Sequence, residues 1–137
     1  REGNLSEQIY IIVDTVKKYN YEDKTLFASF YYNTLQQLKQ EYPDLHTAAI
    51  RIPRDNRLPS EIADEIGCQA FVCSVDELND EISENAANHN LYIGVYAVDD
   101  NEMLNKVLNY NIKTIVTNYP KKIINELKLR NLLNPDF

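Results

Sequence analysis

Glycine is scarce in this chain, with only Gly3, Gly67 and Gly94. A dinucleotide-binding fold needs a glycine-rich turn after its first strand so that backbone can approach a pyrophosphate, and a P-loop needs the same freedom. Three scattered glycines exclude both, and no Gly-x-Ser-x-Gly nucleophile elbow is present either. Histidine is equally sparse: His46 and His89 are the only two. Neither has a carboxylate or thiol at metal-ligand spacing, and His89 falls in the last turn of an expected helix, where a cation suits the dipole. The only cysteines, Cys68 and Cys73, flank an expected buried strand. That disfavours a disulfide scaffold or zinc site and predicts two buried free thiols. No apolar run approaches the roughly 18 residues of a membrane span, and no signal-peptide pattern is visible.

What is present describes an ordinary globular domain: 137 residues, 44% apolar and 26% charged. A chain of this length removes about two-thirds of its extended surface from water on folding, enough for a real core. The formal charge of −7 and pI near 4.8 argue against a nucleic-acid surface, which needs clustered Lys and Arg. Buried free thiols fit a reducing compartment, so a cytoplasmic location is weakly favoured. The sequence begins with Arg1 and its only methionine is Met103, which predicts a piece of a longer chain.

Along the chain, helical stripes alternate with short β-rich runs. Ile9, Ile12, Val13 and Val16 follow Ser6, an expected N-cap. "TLFASF" (residues 25–30) reads as a strand, and Tyr31, Leu35, Leu38 and Tyr42 form the next stripe, ended by Pro43. "TAAIRI" (47–52) is a weaker strand, followed by the polar loop "PRDNRLP". Ser60 is the expected cap of a short helix carrying Ile62, Ala63 and Ile66, closed by Gly67. "QAFVC" is a strand, then Val75, Leu78, Ile82 and Ala86 make a stripe, then "LYIGVYAV" (91–98) is the longest strand. Asp99 and Glu102 are placed as a capping box before Leu104, Val107 and Leu108. "KTIVT" is the fifth strand, and Pro120 opens a last helix whose Ile123, Ile124 and Leu127 face inward.

Five strands alternating with six helices predict one α/β domain with parallel strands and helical crossovers. In such folds ligands bind at the C-terminal strand ends. Those ends read Ser29-Phe30, Ile52-Pro53, Cys73-Ser74, Tyr96-Ala97 and Thr117-Asn118: polar or aromatic, without His, Lys or a carboxylate pair. The Asp99–Asp100 pair would suit a phospho-acceptor pocket, but it starts a helix, so capping is its expected task. The acidic residues of "VDELNDEISE" spread opposite the apolar stripe and read as a solvated face.

Four segments in register carry a resemblance: "YNYEDKTLFASF" (19–30), "IGCQAFVCS" (66–74), "LYIGVYAVDDNEMLNKVL" (91–108) and "IKTIVTNYP" (112–120). Together, over residues 9–127, they resemble the glycerophosphodiester phosphodiesterase family, with its strand ending in Ser-Phe, its Val-x-Val-Trp-Thr-Val-Asn strand and its terminal Gly-Ile-Ile-Thr-Asp-Tyr-Pro. The resemblance implies a (β/α)8 barrel that hydrolyses glycerophosphodiesters to glycerol 3-phosphate and an alcohol. A divalent metal, Ca²⁺ or Mg²⁺, polarises the phosphate there, and two histidines act as acid and base. The family's catalytic parts are a His-Arg-Gly strand end, a Glu and Asp on the next strand, a His-Asp turn and an Ile-Glu-Ile-Lys strand. None of these occurs here. The substrate-binding residues that carry over are Ser29 and Phe30 at the Ser-Phe strand end, Tyr96 where the family has Trp, and Asn118 where it has Asp. Lys113-Thr114 also departs from the usual Asp-Gly. Core or capping duty is the alternative for all four residues.

The resemblance thus implies a single partial domain, residues 1–137, forming the C-terminal part (five strands, six helices) of a TIM-type barrel. Its parent would be a metal-dependent phosphoric diester hydrolase of glycerophospholipid metabolism, with or without membrane association. The chain alone is expected to hold no metal, to catalyse nothing, and to self-associate through exposed barrel edges. Two other readings compete: a complete, doubly wound five-stranded binding module, and a degenerate barrel serving as a scaffold.

Overall fold

The computed structural model describes residues 5–133; Arg1 and Gly3, which entered the sequence reading, lie outside them. Helix α1 (Glu7–Lys18) leads through a single 3₁₀ turn (Glu22–Lys24) into β1 (Leu26–Ser29). The alternation then runs α2 (Tyr32–Glu41), β2 (His46–Ile50), α3 (Pro59–Ile66), β3 (Ala70–Ser74), α4 (Asp80–Asn88), β4 (Tyr92–Tyr96), α5 (Asn101–Val107), β5 (Thr114–Ile115) and α6 (Pro120–Leu129). Five strands and six α-helices are what the hydrophobic periods predict. Strand β5 is shorter than "KTIVT", yet its backbone stays beside β4: the Val116 N–H bonds the Val95 carbonyl at 2.9 Å, and the Val98 N–H bonds the Val116 carbonyl at 2.9 Å.

All strands are parallel and their spatial order equals their chain order, β1-β2-β3-β4-β5. A doubly wound sheet reverses direction at a switch point, which puts helices on both faces. No reversal occurs here, so successive right-handed crossovers bring every helix to the same side. The core confirms it. Phe71 and Cys73 of β3 and Ile93 and Val95 of β4 pack in one buried cluster with Leu35, Ile62, Ile82, Leu104 and Val107 from four helices. Phe27 extends this face at β1, against Tyr10 and Val13 of α1, and Leu127 of α6 and Ile115 both pack against the core and line one hollow.

The opposite face carries the alternate residues. Register places Ala28, Ala48, Ala70 and Tyr92 in one row, and Ile50, Val72, Gly94 and Thr114 in the next. Within these rows Ala48 and Ala70 are buried, at 0 and 3% exposed, while positions towards the edges lie open. Leu26, Tyr92 and Val116 are 45, 58 and 48% exposed, and a hollow of about 360 Å³ lies between Leu26, Tyr92, Gly94 and Val116. A Cβ on Gly94 would stand 3.3 Å from Val72 Cγ2 and 3.5 Å from the Thr114 Cβ, so a bare backbone there lets both neighbours close in. One helix-covered face, one open concave face and two outer strands paired on one side only make this a half-barrel. The doubly wound module expected as an alternative is ruled out by strand order.

Several local expectations are corrected. Tyr32, not Tyr31, is the buried first residue of the α2 stripe: Tyr31 is 77% exposed in the turn, while the Tyr32 hydroxyl donates to the Ile50 carbonyl at 3.0 Å. Ile12 is 51% exposed, and Tyr10 takes its place inside. Helix α3 starts after Leu58, whose N–H donates to Glu61 Oε2 at 2.7 Å. Ser60 instead ties α3 to α4 through two 2.9 Å bonds with the Asn85 amide. Gly67 closes α3 as expected, at φ 70°, in the left-handed region that favours a residue without Cβ. Helix α5 is capped by Asp100, whose carboxylate accepts the Met103 N–H at 2.8 Å; Asp99 is released for another task.

Candidate active-site rim

The four residues carried over by resemblance all lie at the C-terminal end of the sheet. Ser29 ends β1, and its Oγ accepts the Tyr31 N–H at 2.9 Å, which shapes the turn into α2. Phe30 follows, 47% exposed. Tyr96 ends β4, half-buried, with a cis peptide to Ala97. Asn118 sits in the turn after β5. Three strand spacings of roughly 4.8 Å separate Ser29 from Tyr96, and Tyr96 lies three residues beyond Ile93, the position level with Ser29. The four form a wall along one rim rather than a cluster.

Two polar constellations stand on that rim, and sequence reasoning missed both. The first joins β2, β3 and β4. The Arg51 N–H bonds the Val72 carbonyl at 2.8 Å, which fixes its backbone just past β2. Its guanidinium lies 3.4 Å from Glu77 Oε1, with the two side chains 17 and 26% exposed. Glu77 is locked to Ser74: its Oε2 accepts the Ser74 N–H at 3.3 Å, and Ser74 Oγ accepts the Glu77 N–H at 3.3 Å. Tyr96 is the register partner of Ser74. Burial, then the Glu77 charge, push its phenol upward, while Arg51 opposes them. Glu77 therefore does not belong to a merely solvated face. Ser74-Val-Asp-Glu77 has the S-x-x-E spacing of a reciprocal cap, the signal that could have found it.

The second constellation closes the β4–β5 side. Asp99 Oδ1 accepts the Thr117 hydroxyl at 3.0 Å and the Asn118 N–H at 2.8 Å, and its Oδ2 accepts the Asn118 side-chain amide at 2.9 Å. Lys122 donates to the Asp99 carbonyl at 3.1 Å. The Asn118 side-chain bond first, then the other donors, hold the Asp99 carboxyl below its ordinary range. The "TNYP" turn is thus laced to the end of β4, with Asn118 bound to its neighbour. Further round, Arg57 grips Asp55 at 2.8 Å, pairs with Glu65 and lies over the Tyr32 ring. Hydrogen bonds from Arg57 lower Asp55. Burial raises Tyr32 to about 12.

Both thiols are free and buried in the helix-side core, Cys73 just beneath the rim; burial raises Cys68, and raises Cys73 to about 12. His46 stands exposed at the entry to β2, and His89 caps α4 at its C-terminus, its Nδ1 2.8 Å from the Asn85 carbonyl. Neither reaches the rim. Among the described residues no group of three His, Cys, Asp or Glu side chains could hold a metal ion. A divalent cation of the kind the resemblance implies therefore does not fit the donors present here.

Sequential parallel strands, helices on one face and a polar rim at the strand C-termini define a half-barrel of the (β/α)8 type. The chain belongs to the glycerophosphoryl diester phosphodiesterase family, whose model matches residues 3–122. Among solved structures it resembles a protein from Silicibacter pomeroyi DSS-3 assigned as a glycerophosphoryl diester phosphodiesterase (TM-score 0.78, 21% identity, 88% of this chain and 43% of that one). It also resembles a glycerophosphodiester phosphodiesterase from Parabacteroides distasonis (TM-score 0.73, 16% identity, 89% of this chain and 50% of that one). A third is an Oleispira antarctica phosphodiesterase in complex with its product sn-glycerol-3-phosphate (TM-score 0.66, 18% identity, 75% of this chain and 41% of that one). At these identities the likeness is one of fold. The chain spans about half the length of the structures it matches. No curated protein matches it.

Proposed function

We propose that this chain is the substrate-facing wall of a phosphoric diester hydrolase that cleaves glycerophosphodiesters to glycerol 3-phosphate and an alcohol. The acid, the base and the ligands of a Ca²⁺ or Mg²⁺ ion come from a segment outside it. The observation that carries this is the open half-barrel itself: five parallel strands in chain order, a concave face with a hollow of about 360 Å³, and a polar rim that has no set of metal donors among the described residues. Family membership and the product-bound relative support the substrate class. Ser29, Phe30, Tyr96 and Asn118 line the rim and take binding roles only. Residues 1–137 then form one partial domain.

The test is turnover of glycerophosphocholine with added Ca²⁺ or Mg²⁺, measured for this chain alone and for the full-length protein. The chain alone should release no glycerol 3-phosphate, and the full-length protein should release it in a metal-dependent way. Activity in the isolated chain, or none in the full-length protein, overturns the reading. The second result would favour a barrel kept as a scaffold, which the Tyr at position 96 and Lys113-Thr114 would suit.

A further inference from the structure

Arg51 is a rim cation whose side chain is only 17% exposed and whose guanidinium makes no hydrogen bond among the described residues. It is held by the 3.4 Å ion pair with Glu77, and the Asp55 carboxylate also feels its charge. A charge-assisted bond runs about 2.7–2.9 Å, so this is an ion pair rather than a hydrogen bond. Arginine carries five N–H donors, and covering them without acceptors is costly. Among the described residues no buried side-chain N or O atom lacks a partner, so the unbonded guanidinium N–H groups are not sealed in and stay open to an incoming acceptor.

Everything around Arg51 is fixed. Its backbone is bonded to β3, Glu77 is doubly bonded to Ser74, and Tyr96 stands beside both at the end of β4. Opposite charges 3.4 Å apart largely cancel at a distance, so neither an anionic nor a cationic group gains much here. What the pair offers is a forked donor next to a carboxylate acceptor, with a phenol alongside that both donates and accepts. Adjacent hydroxyls on a carbon chain have the matching need: each has a lone pair to receive an N–H and a proton to give.

We propose that Arg51, held by Glu77 beside Tyr96, is a specificity-determining residue that reads a neutral 1,2-diol of the substrate. The proposal rests on the phosphodiesterase reading above. The diol has two sources, the glycerol of the glycerophosphoryl group or a polyol on the leaving alcohol. The wall selects hydroxylated over deoxygenated substrates because the deoxygenated analogue leaves covered donors and acceptors unpaired.

The experiment measures kcat/KM of the full-length protein on two substrate pairs. Glycerophosphocholine against propylphosphocholine removes the glycerol diol; glycerophosphoinositol against glycerophosphopropanol removes the polyol of the leaving alcohol. In the wild type, one pair should show a preference for the hydroxylated member of about tenfold or more. Arg51→Met and Glu77→Gln should each erase most of it, chiefly through KM, and Arg51→Lys should restore part. Loss in the first pair assigns the glycerol diol, and loss in the second assigns the leaving polyol. Wild-type preference that survives in Arg51→Met and Glu77→Gln overturns the proposal, as does a wild type with no preference. Should Arg51→Met not fold, Arg51→Lys and Glu77→Gln decide alone. A wild type that hydrolyses none of the four refutes the parent reading instead.

Discussion

The half-barrel predicts that two aromatic residues on neighbouring strands differ sharply in what they contribute. Phe71 on β3 is 1% exposed within the helix-covered core, while Tyr92 on β4 is 58% exposed on the bare face. Replacing Phe71 by Ala deletes a fully enclosed ring and leaves a cavity, which costs about 3–5 kcal/mol. Tyr92→Ala gives up at most the covered part of a side chain of about 200 Å², which at about 25 cal/mol per Å² stays under about 2 kcal/mol. Urea denaturation followed by far-UV circular dichroism separates the two. With a slope of about 2 kcal/mol per molar urea, Phe71→Ala should lower the midpoint by about 2 M and Tyr92→Ala by less than about 1 M, at unchanged slope. Equal losses would mean that the concave face is packed in solution, and the one-sided architecture would fail. If the full-length protein encloses this face, as proposed above, its Tyr92→Ala penalty should exceed that of this chain alone.

The Asp99 lock gives a pH prediction. A carboxyl held below its unfolded value contributes stability present above the unfolded value and lost as pH falls through the folded one. Carbon-detected NMR titration should show Asp99 protonating below the ordinary aspartate range, and Asn118→Ala should move it back up. For the thiols, burial predicts that Cys68 and Cys73 react with a disulfide reagent at pH 8 at least tenfold more slowly in the native chain than in urea. Rapid native labelling would contradict their placement. The unpaired edges of β1 and β5, together with the bare face, predict self-association of the isolated chain. Light scattering at rising concentration should report a mass above 15.9 kDa, and a strict monomer would refute this.

Most of the fold was legible because its signals are local. The stripe Val75, Leu78, Ile82 and Ala86 is buried throughout, and Gly67 and Pro120 punctuate helices where their backbone chemistry requires. Boundaries slipped where adjacent residues compete for one task. Tyr31 and Tyr32 differ by one position and by a whole face, and Asp99 and Asp100 are both good caps until Asn118 claims the first. The rim was harder to read. Arg51 and Glu77 are far apart in the chain and meet only because β2 and β3 are neighbours. Neither hydrophobic period nor capping chemistry encodes that contact. Strand order is likewise invisible in a pattern of alternating elements, since doubly wound and barrel sheets share it.

The row of Ala28, Ala48 and Ala70, with Gly94 one layer above, has a geometric corollary. Barrel interiors are usually filled by tiers of branched residues from all staves. Here the β1–β3 stretch of that row is a floor of methyl groups, which rises at Tyr92 on β4. In the barrel proposed above, whatever stands across from Ala28, Ala48 and Ala70 would have to reach further than whatever faces Tyr92.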